Sequence, residues 1–153
     1  GGLGVLAAAG EPRIRALVGW AAISDVHRHS PEEVAAWRAR GQIDIVNSRT
    51  GQVLPMLTDV LDDVLRHGST LLDIRAAAIR LRAPWLIVHG ESDVTVPVAE
   101  ARALHTAGRD TAELMLVPDA GHTFEAVHPW QGPTPAFEAV TDASVAWFGR
   151  HLR

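Results

Sequence analysis

The chain of 153 residues contains no cysteine and no lysine. The absence of cysteine excludes disulfides, Cys-ligated zinc, iron–sulfur clusters and a cysteine nucleophile. All 14 basic side chains are arginines, and they stand against 18 acidic ones for a net charge of −4. A mildly acidic chain without a basic cluster lacks the charge pattern that binds nucleic acid or an anionic membrane. We therefore expect neither as a partner.

Long apolar runs are missing as well. No stretch reaches the ~18 apolar residues that a membrane-spanning helix needs. The apolar start of the chain, residues 1–9, has no basic segment and lacks the pattern of a signal peptide. Our expectation is a cytoplasmic protein. The residues that are present, 47% hydrophobic and 21% charged, are typical of a single folded domain.

Strand and helix patterns alternate through the first half of the chain. Ser30-Pro31-Glu32-Glu33 has a capping serine, a proline and acids in the first turn, which indicates a helix that ends near Gly41. Further helices are predicted over residues 3–10 and 58–67. Strands are predicted over residues 16–23, where a buried helix is the alternative, and over 42–47 and 52–56. The last two form a hairpin around a turn in which Arg49 is expected to face solvent.

The second half of the chain gives clearer patterns. Continuous apolar runs predict buried strands over residues 84–90 and 113–118, and helices are predicted over residues 98–107 and 137–152. Strand–helix–strand connections this short force a parallel, right-handed crossover. In the last helix we expect the core side to consist of Ala143, Val145, Ala146, Trp147 and Phe148.

Two polar side chains follow the ends of the two clearest strands. Asp93 comes just after the strand 84–90, and His122 just after the strand 113–118. The carboxyl ends of neighbouring parallel strands lie at one edge of a sheet, about 4.8 Å apart, where open α/β sheets bind their ligands. An aspartate that accepts a hydrogen bond from one imidazole nitrogen leaves the other free to take a proton from a nucleophile. The pattern therefore predicts the acid and the base of a hydrolytic triad.

The motifs around both residues resemble a known family. PWLIVHGESDVTVP, residues 84–97, followed by GHTF, residues 121–124, resembles the C-terminal half of the α/β-hydrolase superfamily. Within it, the chain most resembles bacterial serine hydrolases of the dienelactone-hydrolase and prolyl-oligopeptidase-like type. The resemblance covers most of residues 16–153. It implies Asp93 as the triad acid and His122 as the triad base, with no cofactor and no metal.

The resemblance also implies the fold, which is the C-terminal part of an α/β-hydrolase. About three parallel strands carry flanking helices, and a small cap of helix and β-hairpin is inserted. We expect one partial domain, with a helix and strand over 1–26, a cap-like insertion over 27–70, and the acid- and histidine-bearing strands over 71–153. Trp37 and the hairpin are expected to line an acyl pocket, and Trp130 to border the site.

The nucleophile of the family is missing from these residues. The superfamily carries its serine in a G-x-S-x-G turn between a strand and a helix, and no such motif occurs in the chain. Gly1-Gly2 before an apolar helix resembles the segment directly after that serine, so we expect the serine, the oxyanion donors and the first half of the sheet upstream of Gly1. We therefore expect no turnover by the isolated chain. We also expect a homo-oligomer or a complementing N-terminal half, because the strand near Ala16 would have an unpaired edge.

Each candidate residue has a simpler structural role as its alternative. His122 alone could bind backbone carbonyls in its loop, and Asp93 could cap the helix that begins near Val98. His89, inside a strand, is expected to be packed in the core. The other side chains that could act as nucleophiles or metal ligands, and for which we expect structural or solvent-facing roles, are Ser24, Ser30, Ser92, His27, His29 and His128.

Two classes of function are consistent with the sequence. The first is a serine hydrolase that acts on carboxylic esters or similar acyl substrates, for which this chain supplies the acid, the base and the cap. The same scaffold also supports dehalogenases and peptidases. The second class is a non-catalytic fragment or interaction module that keeps the C-terminal half of the fold. A serine-bearing stretch directly upstream of Gly1 favours the first class, and a true start at Gly1 favours the second.

Overall fold

The computed structural model describes residues 1–47 and 50–152. Ser48 and Arg49, in the turn of the predicted hairpin, lie outside the described residues, as does Arg153. The chain forms two compact units, of which unit 1 comprises Gly1–Asp25 and Ile74–Arg153 and unit 2 comprises Val26–Asp73. No helix in the described part of the chain is long and apolar enough to cross a membrane.

The order of elements agrees with the predicted alternation of strands and helices. The strands are β1 (Leu17–Trp20), β2 (Gln42–Val46), β3 (Val53–Leu57), β4 (Trp85–Gly90) and β5 (Ala112–Val117). The helices are α1 (Gly2–Gly10), α2 (Pro31–Arg40), α3 (Thr58–His67), α4 (Ile74–Arg80), α5 (Val98–Gly108) and α6 (Pro135–His151).

Unit 1 contains a parallel sheet with the strand order β1–β4–β5. The central strand β4 pairs with β1 from Leu17↔Trp85 and with β5 from Trp85↔Ala112. Every residue of β4 is buried, because both of its edges and both of its faces are covered. The prediction of a parallel sheet with flanking helices is therefore confirmed. Strand β1 is shorter than predicted, since Ala21 takes a left-handed φ of 46° directly after it.

The core of unit 1 joins the sheet to α6. One apolar cluster combines side chains from β4, β5, the loop after β5 and α6, namely Leu86, Val88, Val117, Ala120, Phe124, Val140 and Trp147. The loop after β5 is thus built into the core at Phe124, two residues after His122.

The predicted core side of α6 is wrong at three positions. Val145 is 67% exposed and Phe148 is 37% exposed, and Ala146 is exposed as well, whereas Val140 and Trp147 are buried. Seven residues make close to two helical turns, so Val140 and Trp147 lie on one face. The other three positions lie about 80° or more around the helix from that face, because each residue turns the helix by about 100°.

Unit 2 consists of α2, the hairpin of β2 and β3, and α3, at the predicted positions. The hydroxyl of Ser30 accepts a hydrogen bond from the amide of Glu33 over 3.2 Å, and the Glu33 carboxylate accepts one from the Ser30 amide over 2.8 Å. These two bonds form a capping box at the start of α2, and Gly41 ends the helix with a left-handed φ of 76°. The strands of the hairpin are antiparallel, with Val46 opposite Val53.

A cavity of about 140 Å³ lies within unit 2. Its lining is mainly apolar and includes Trp37, Met56 and Leu61, while residues 27–29 contribute polar side chains. Trp37 is 2% exposed, and its Nε1 donates a hydrogen bond to the carbonyl oxygen of Met56 over 3.2 Å. The indole is therefore fixed as one wall of the cavity.

Candidate active site

Asp93 and His122 meet at the carboxyl edge of the sheet in unit 1. Asp93 lies in the loop between β4 and α5, and His122 lies in the loop between β5 and α6. Because β4 and β5 are parallel neighbours, both loops leave the same edge of the sheet. Nδ1 of His122 lies 2.8 Å from Oδ2 of Asp93, which is hydrogen-bond distance. The structure brings together the two residues that the sequence singles out as an acid–base pair.

The carboxylate of Asp93 is held by the backbone of its own loop. The amides of Thr95 and Val96 donate hydrogen bonds to Oδ1 over 2.8 and 2.9 Å, which leaves Oδ2 for His122. Asp93 is buried, so these bonds are shielded from water. The alternative role as the cap of α5 does not apply, because Pro97 occupies the cap position without a side-chain hydrogen bond.

The loop that carries His122 is anchored on both sides of the imidazole. The carboxylate of Glu125 accepts a hydrogen bond from the amide of Gly121 over 2.7 Å. The hydroxyl of Thr134 donates to the carbonyl oxygen of Phe124 over 2.6 Å, and the Phe124 ring packs edge-to-face on a tryptophan of β1. The His122 side chain itself is 37% exposed, so the imidazole is accessible while its backbone is fixed.

The backbone of this loop is strained at three residues. Asp119, Phe124 and Glu125 have left-handed φ angles of 58°, 53° and 60°, which L-residues with a Cβ rarely adopt. Such conformations cost about 1–3 kcal/mol each and persist where the surrounding structure holds them, as often occurs at functional sites. Here the hydrogen bonds of Glu125 and Thr134 and the buried ring of Phe124 hold the loop.

Hydrogen bonds keep the pKa of Asp93 below its ordinary value. Burial raises the pKa of this carboxyl. Hydrogen bonds from the amide of Val96, from His122 and from the amide of Thr95 lower the pKa, and so does the charge of His122. Together these lowering effects exceed the effect of burial. Asp93 is therefore ionised at neutral pH and able to accept the Nδ1 proton of His122.

The lowered pKa of Asp93 predicts how stability depends on acid. The ionised carboxylate stabilises the folded chain fully above the ordinary pKa of 3.8, and this stabilisation is lost as the pH falls through the folded-state pKa. We expect the difference in free energy of unfolding between the wild type and Asp93→Asn to shrink as the pH falls below 3.8. Urea titration at several pH values measures it. Asp110→Asn, in the short 3₁₀ helix Arg109–Thr111 where the side chain is exposed, is the control. A difference unaffected by acid would contradict the lowered pKa of Asp93.

Gly90, the last residue of β4, lies against the loop that carries His122. A Cβ at this position would overlap the carbonyl groups of Ala120 and Gly121. We expect Gly90→Ala to lower the free energy of unfolding by about 1–3 kcal/mol, the usual cost of overpacking, and to displace His122. In the control Gly149→Ala the new Cβ meets open space in α6, and we expect a gain of about 0.5–1 kcal/mol. Chemical denaturation measures the free energy of unfolding of both variants. A Gly90→Ala variant as stable as the wild type would contradict the clash.

The two tryptophans predicted to bind substrate lie in different units. Trp37 lines the cavity of unit 2. Trp130 belongs to unit 1, where it is 57% exposed and packs edge-on against Phe137 with ring centroids 5.4 Å apart. An exposed indole of this kind offers an apolar surface to a ligand.

His89 contacts the acid–base pair in a way that sequence reasoning missed. It is fully buried in β4, and its Nε2 lies 2.7 Å from the carbonyl oxygen of Val96 and 3.4 Å from Oδ2 of Asp93. Its position inside an apolar strand predicted core packing. The sequence did contain one signal for this contact. His89 and Asp93 are four residues apart, and β4 ends between them at Gly90. Glu125 was missed as well, since its role depends on the conformation of a loop.

The three candidate serines have positions that suit other roles. Ser24 is buried, its hydroxyl lies 3.2 Å from the guanidinium of Arg75, and its amide donates to the carboxylate of Glu100 over 2.6 Å. Ser30 caps α2, while Ser92 is exposed beside Asp93. The described ranges 1–47 and 50–152 contain no group of three or more histidine or acidic side chains placed to hold a metal ion.

Comparison with known proteins adds a sequence match to one large enzyme. No family model matches the chain. The chain is similar to the non-reducing polyketide synthase prhL of Penicillium brasilianum, with 29% identity over 145 residues. The match covers 86% of this chain and 6% of that protein.

Solved structures show a likeness over nearly the whole chain. The esterase domain of a Rhodothermus marinus protein matches with a TM-score of 0.68 at 16% identity, over 99% of this chain and 58% of that one. Est1E from Butyrivibrio proteoclasticus matches with a TM-score of 0.63 at 20% identity, over 97% and 58%. The monoacylglycerol lipase of Paleococcus ferrophilus matches with a TM-score of 0.61 at 22% identity, over 99% and 65%. The chain thus spans less than two thirds of each of these structures.

Proposed function

The chain has the α/β-hydrolase fold, and from this premise we propose that it supplies the acid–base pair of a serine hydrolase that acts on carboxylic esters or similar acyl substrates. The observation that carries the proposal is the 2.8 Å hydrogen bond between Nδ1 of His122 and Oδ2 of Asp93 at the carboxyl edge of the sheet. A buried carboxylate with a lowered pKa and a half-exposed imidazole are the two halves of a proton relay.

The proposed reaction uses Nε2 of His122 as the base. Asp93 holds the proton on Nδ1, so Nε2 takes the proton of a serine hydroxyl as the serine oxygen bonds to the carbonyl carbon of the ester. His122 then gives that proton to the leaving alkoxide as the carbon–oxygen bond breaks, which produces an alcohol and an acyl-serine. A water molecule enters the same cycle, and its proton passes through His122 back to the serine oxygen as the carboxylic acid leaves.

The proposal places the nucleophilic serine outside these 153 residues. The sequence has no G-x-S-x-G turn, and the hydroxyl of the buried Ser24 accepts hydrogen bonds from the guanidinium of Arg75. The amide donors that stabilise the oxyanion accompany that turn in this fold, and the loss of one such donor alone costs about 10²–10³ in rate. We therefore expect catalysis when another segment or chain supplies both.

The proposed substrate contacts are Trp37 and Trp130. An enclosed apolar cavity of roughly 150 Å³ is large enough to bind benzene. The cavity beside Trp37, at about 140 Å³, therefore has the size for one ring or a short acyl chain. In unit 1, Trp130 lies in the same loop as His122, and the exposed surface of its indole suits an apolar substituent.

The edge of β1 that faces away from β4 pairs with no strand in residues 1–47 and 50–152, and it is the proposed place for a further part of the sheet. In the order β1–β4–β5, β1 is an edge strand that pairs in parallel with β4 on one side. Such an edge accepts a strand from another polypeptide. We expect the chain to sediment as a homo-oligomer or to require a complementing N-terminal polypeptide. A monodisperse monomer that melts cooperatively would contradict this part of the proposal.

A fluorophosphonate tests the function directly, since it reacts with an activated serine. On the 153-residue chain we expect no adduct by intact mass. On the polypeptide encoded by the complete reading frame we expect one adduct on a serine, lost in His122→Ala and kept in the control His105→Ala. A His122-dependent adduct on the 153-residue chain would place the nucleophile among these residues. No adduct on the complete polypeptide would favour the alternative, a non-catalytic module that keeps the fold.

A further inference from the structure

We infer that His89 is a positioning residue, which holds Val96 and the carboxylate of Asp93 in the orientation that presents Oδ2 to His122. The catalytic consequence of this inference rests on the proposed function, whereas the orientation itself does not. His89 is fully buried inside β4 beside Asp93, so its effect on His122 passes through Asp93.

The surroundings of His89 determine which ring nitrogen carries the proton. Nε2 lies 2.7 Å from the carbonyl oxygen of Val96, and a carbonyl oxygen can only accept a hydrogen bond. Nε2 therefore carries a hydrogen and donates it. Nδ1 is buried and has no hydrogen-bond partner in the part of the chain that the structure describes, so a proton there would be unsatisfied. The environment thus selects the Nε2–H tautomer.

His89 reaches Asp93 by two routes. Directly, its Nε2 lies 3.4 Å from Oδ2, the same oxygen that accepts from His122. Indirectly, it binds the carbonyl of Val96, whose amide donates to Oδ1 over 2.9 Å. Val96 is itself buried, so water does not readily replace either bond if one is lost. Both oxygens of the carboxylate are therefore tied to the position of one buried imidazole.

Loss of the His89 donor has a defined consequence for His122. The carbonyl of Val96 would be left buried and unsatisfied, and the loop would shift to satisfy it. Because the amide of Val96 moves with that loop, the carboxylate of Asp93 would no longer be held from the Oδ1 side. His122 would then lose a fixed acceptor for its Nδ1 proton, although no atom of the pair itself had been changed.

The first test needs no variant. In the wild-type chain, the ¹H–¹⁵N correlation spectrum of His89 should show a proton on Nε2 and none on Nδ1. A proton on Nδ1 would overturn the inference, because Nε2 could then not donate to the carbonyl of Val96.

The second test measures how fast the Nδ1 proton of His122 exchanges with water in variants of His89. We expect His89→Phe, which keeps the ring and removes the donor, to speed exchange of the Nδ1 proton of His122 with water by about tenfold, the factor that one hydrogen bond of ordinary strength represents. His89→Gln keeps an N–H donor and should restore slow exchange. Ile87→Val shortens a buried side chain of the same strand and removes none of the hydrogen bonds of Asp93, so it should leave the exchange rate unchanged.

The outcomes separate positioning from a purely structural role. Faster exchange in His89→Phe but not in Ile87→Val, with rescue by His89→Gln, supports the inference. Equal exchange in the folded His89→Phe and wild-type chains would overturn it. If His89→Phe does not fold, His89→Leu, which also lacks the donor, takes its place in the same comparison. None of these readouts needs turnover, so a negative fluorophosphonate result would remove the proposed function and leave this inference standing.

Discussion

Asp93→Asn is expected to lower kcat for a p-nitrophenyl ester by about 10⁴-fold in the complete polypeptide, close to the loss measured when a triad aspartate becomes asparagine. The structure gives the reason. The amides of Thr95 and Val96 both point at Oδ1, so the carbonyl oxygen of the asparagine must take that position. Its NH₂ group then faces His122, whose Nδ1 has to accept, and the proton moves to Nε2. An Nε2 that already carries a proton cannot act as the base.

Asp119→Asn is the matched control for this prediction. Asp119 precedes His122 in the same loop, is exposed, and has a left-handed φ of 58° that asparagine tolerates well. Its replacement should leave kcat unchanged. Steady-state hydrolysis measures both variants, and a loss of less than about tenfold in Asp93→Asn would show that Asp93 does not orient the base.

Trp147→Ala is expected to lower the free energy of unfolding by about 3–5 kcal/mol, the usual cost of removing a fully buried aromatic ring. Trp147 is 1% exposed and closes the apolar cluster that includes Val88 of β4 and Phe124 of the His122 loop. The cavity left behind would therefore also loosen the loop that presents the imidazole.

Phe148→Ala is the matched control, one residue further along α6. Its ring is 37% exposed on another side of the helix, so we expect a loss of about 1 kcal/mol or less. Urea or thermal denaturation of the two variants compares them. Equal losses would contradict the assigned core face of α6, and would favour the face expected from the run of apolar residues alone.

The contact between Asp93 and His122 was predictable from sequence because their placement depends on where two strands end. Once 84–90 and 113–118 are recognised as neighbouring parallel strands, the loops of Asp93 and His122 must leave one edge of the sheet. The bounds of α2 were predictable for a similar local reason, since Ser30 and Gly41 carry the cap signals in their own chemistry.

Other features depend on packing that local patterns do not contain. Helix α4, Ile74–Arg80, was missed, since a short run with three alanines shows no apolar periodicity although Ala77 and Ala78 are buried. The core face of α6 was mistaken because almost every residue near its end is apolar. The contacts of His89 and Glu125 arise from the conformation of loops, which residue spacing alone does not define.

The tautomer of His122 tests the central claim most directly. As the acid of the pair, Asp93 must hold a proton on Nδ1 and leave Nε2 as the base. The ¹⁵N chemical shifts of the His122 ring, recorded on the 153-residue chain where the imidazole is neutral, should show Nδ1 protonated and Nε2 bare. In Asp93→Asn the assignment should reverse. A wild-type His122 with the proton on Nε2 would contradict the claim that these residues form the acid–base pair of a hydrolase.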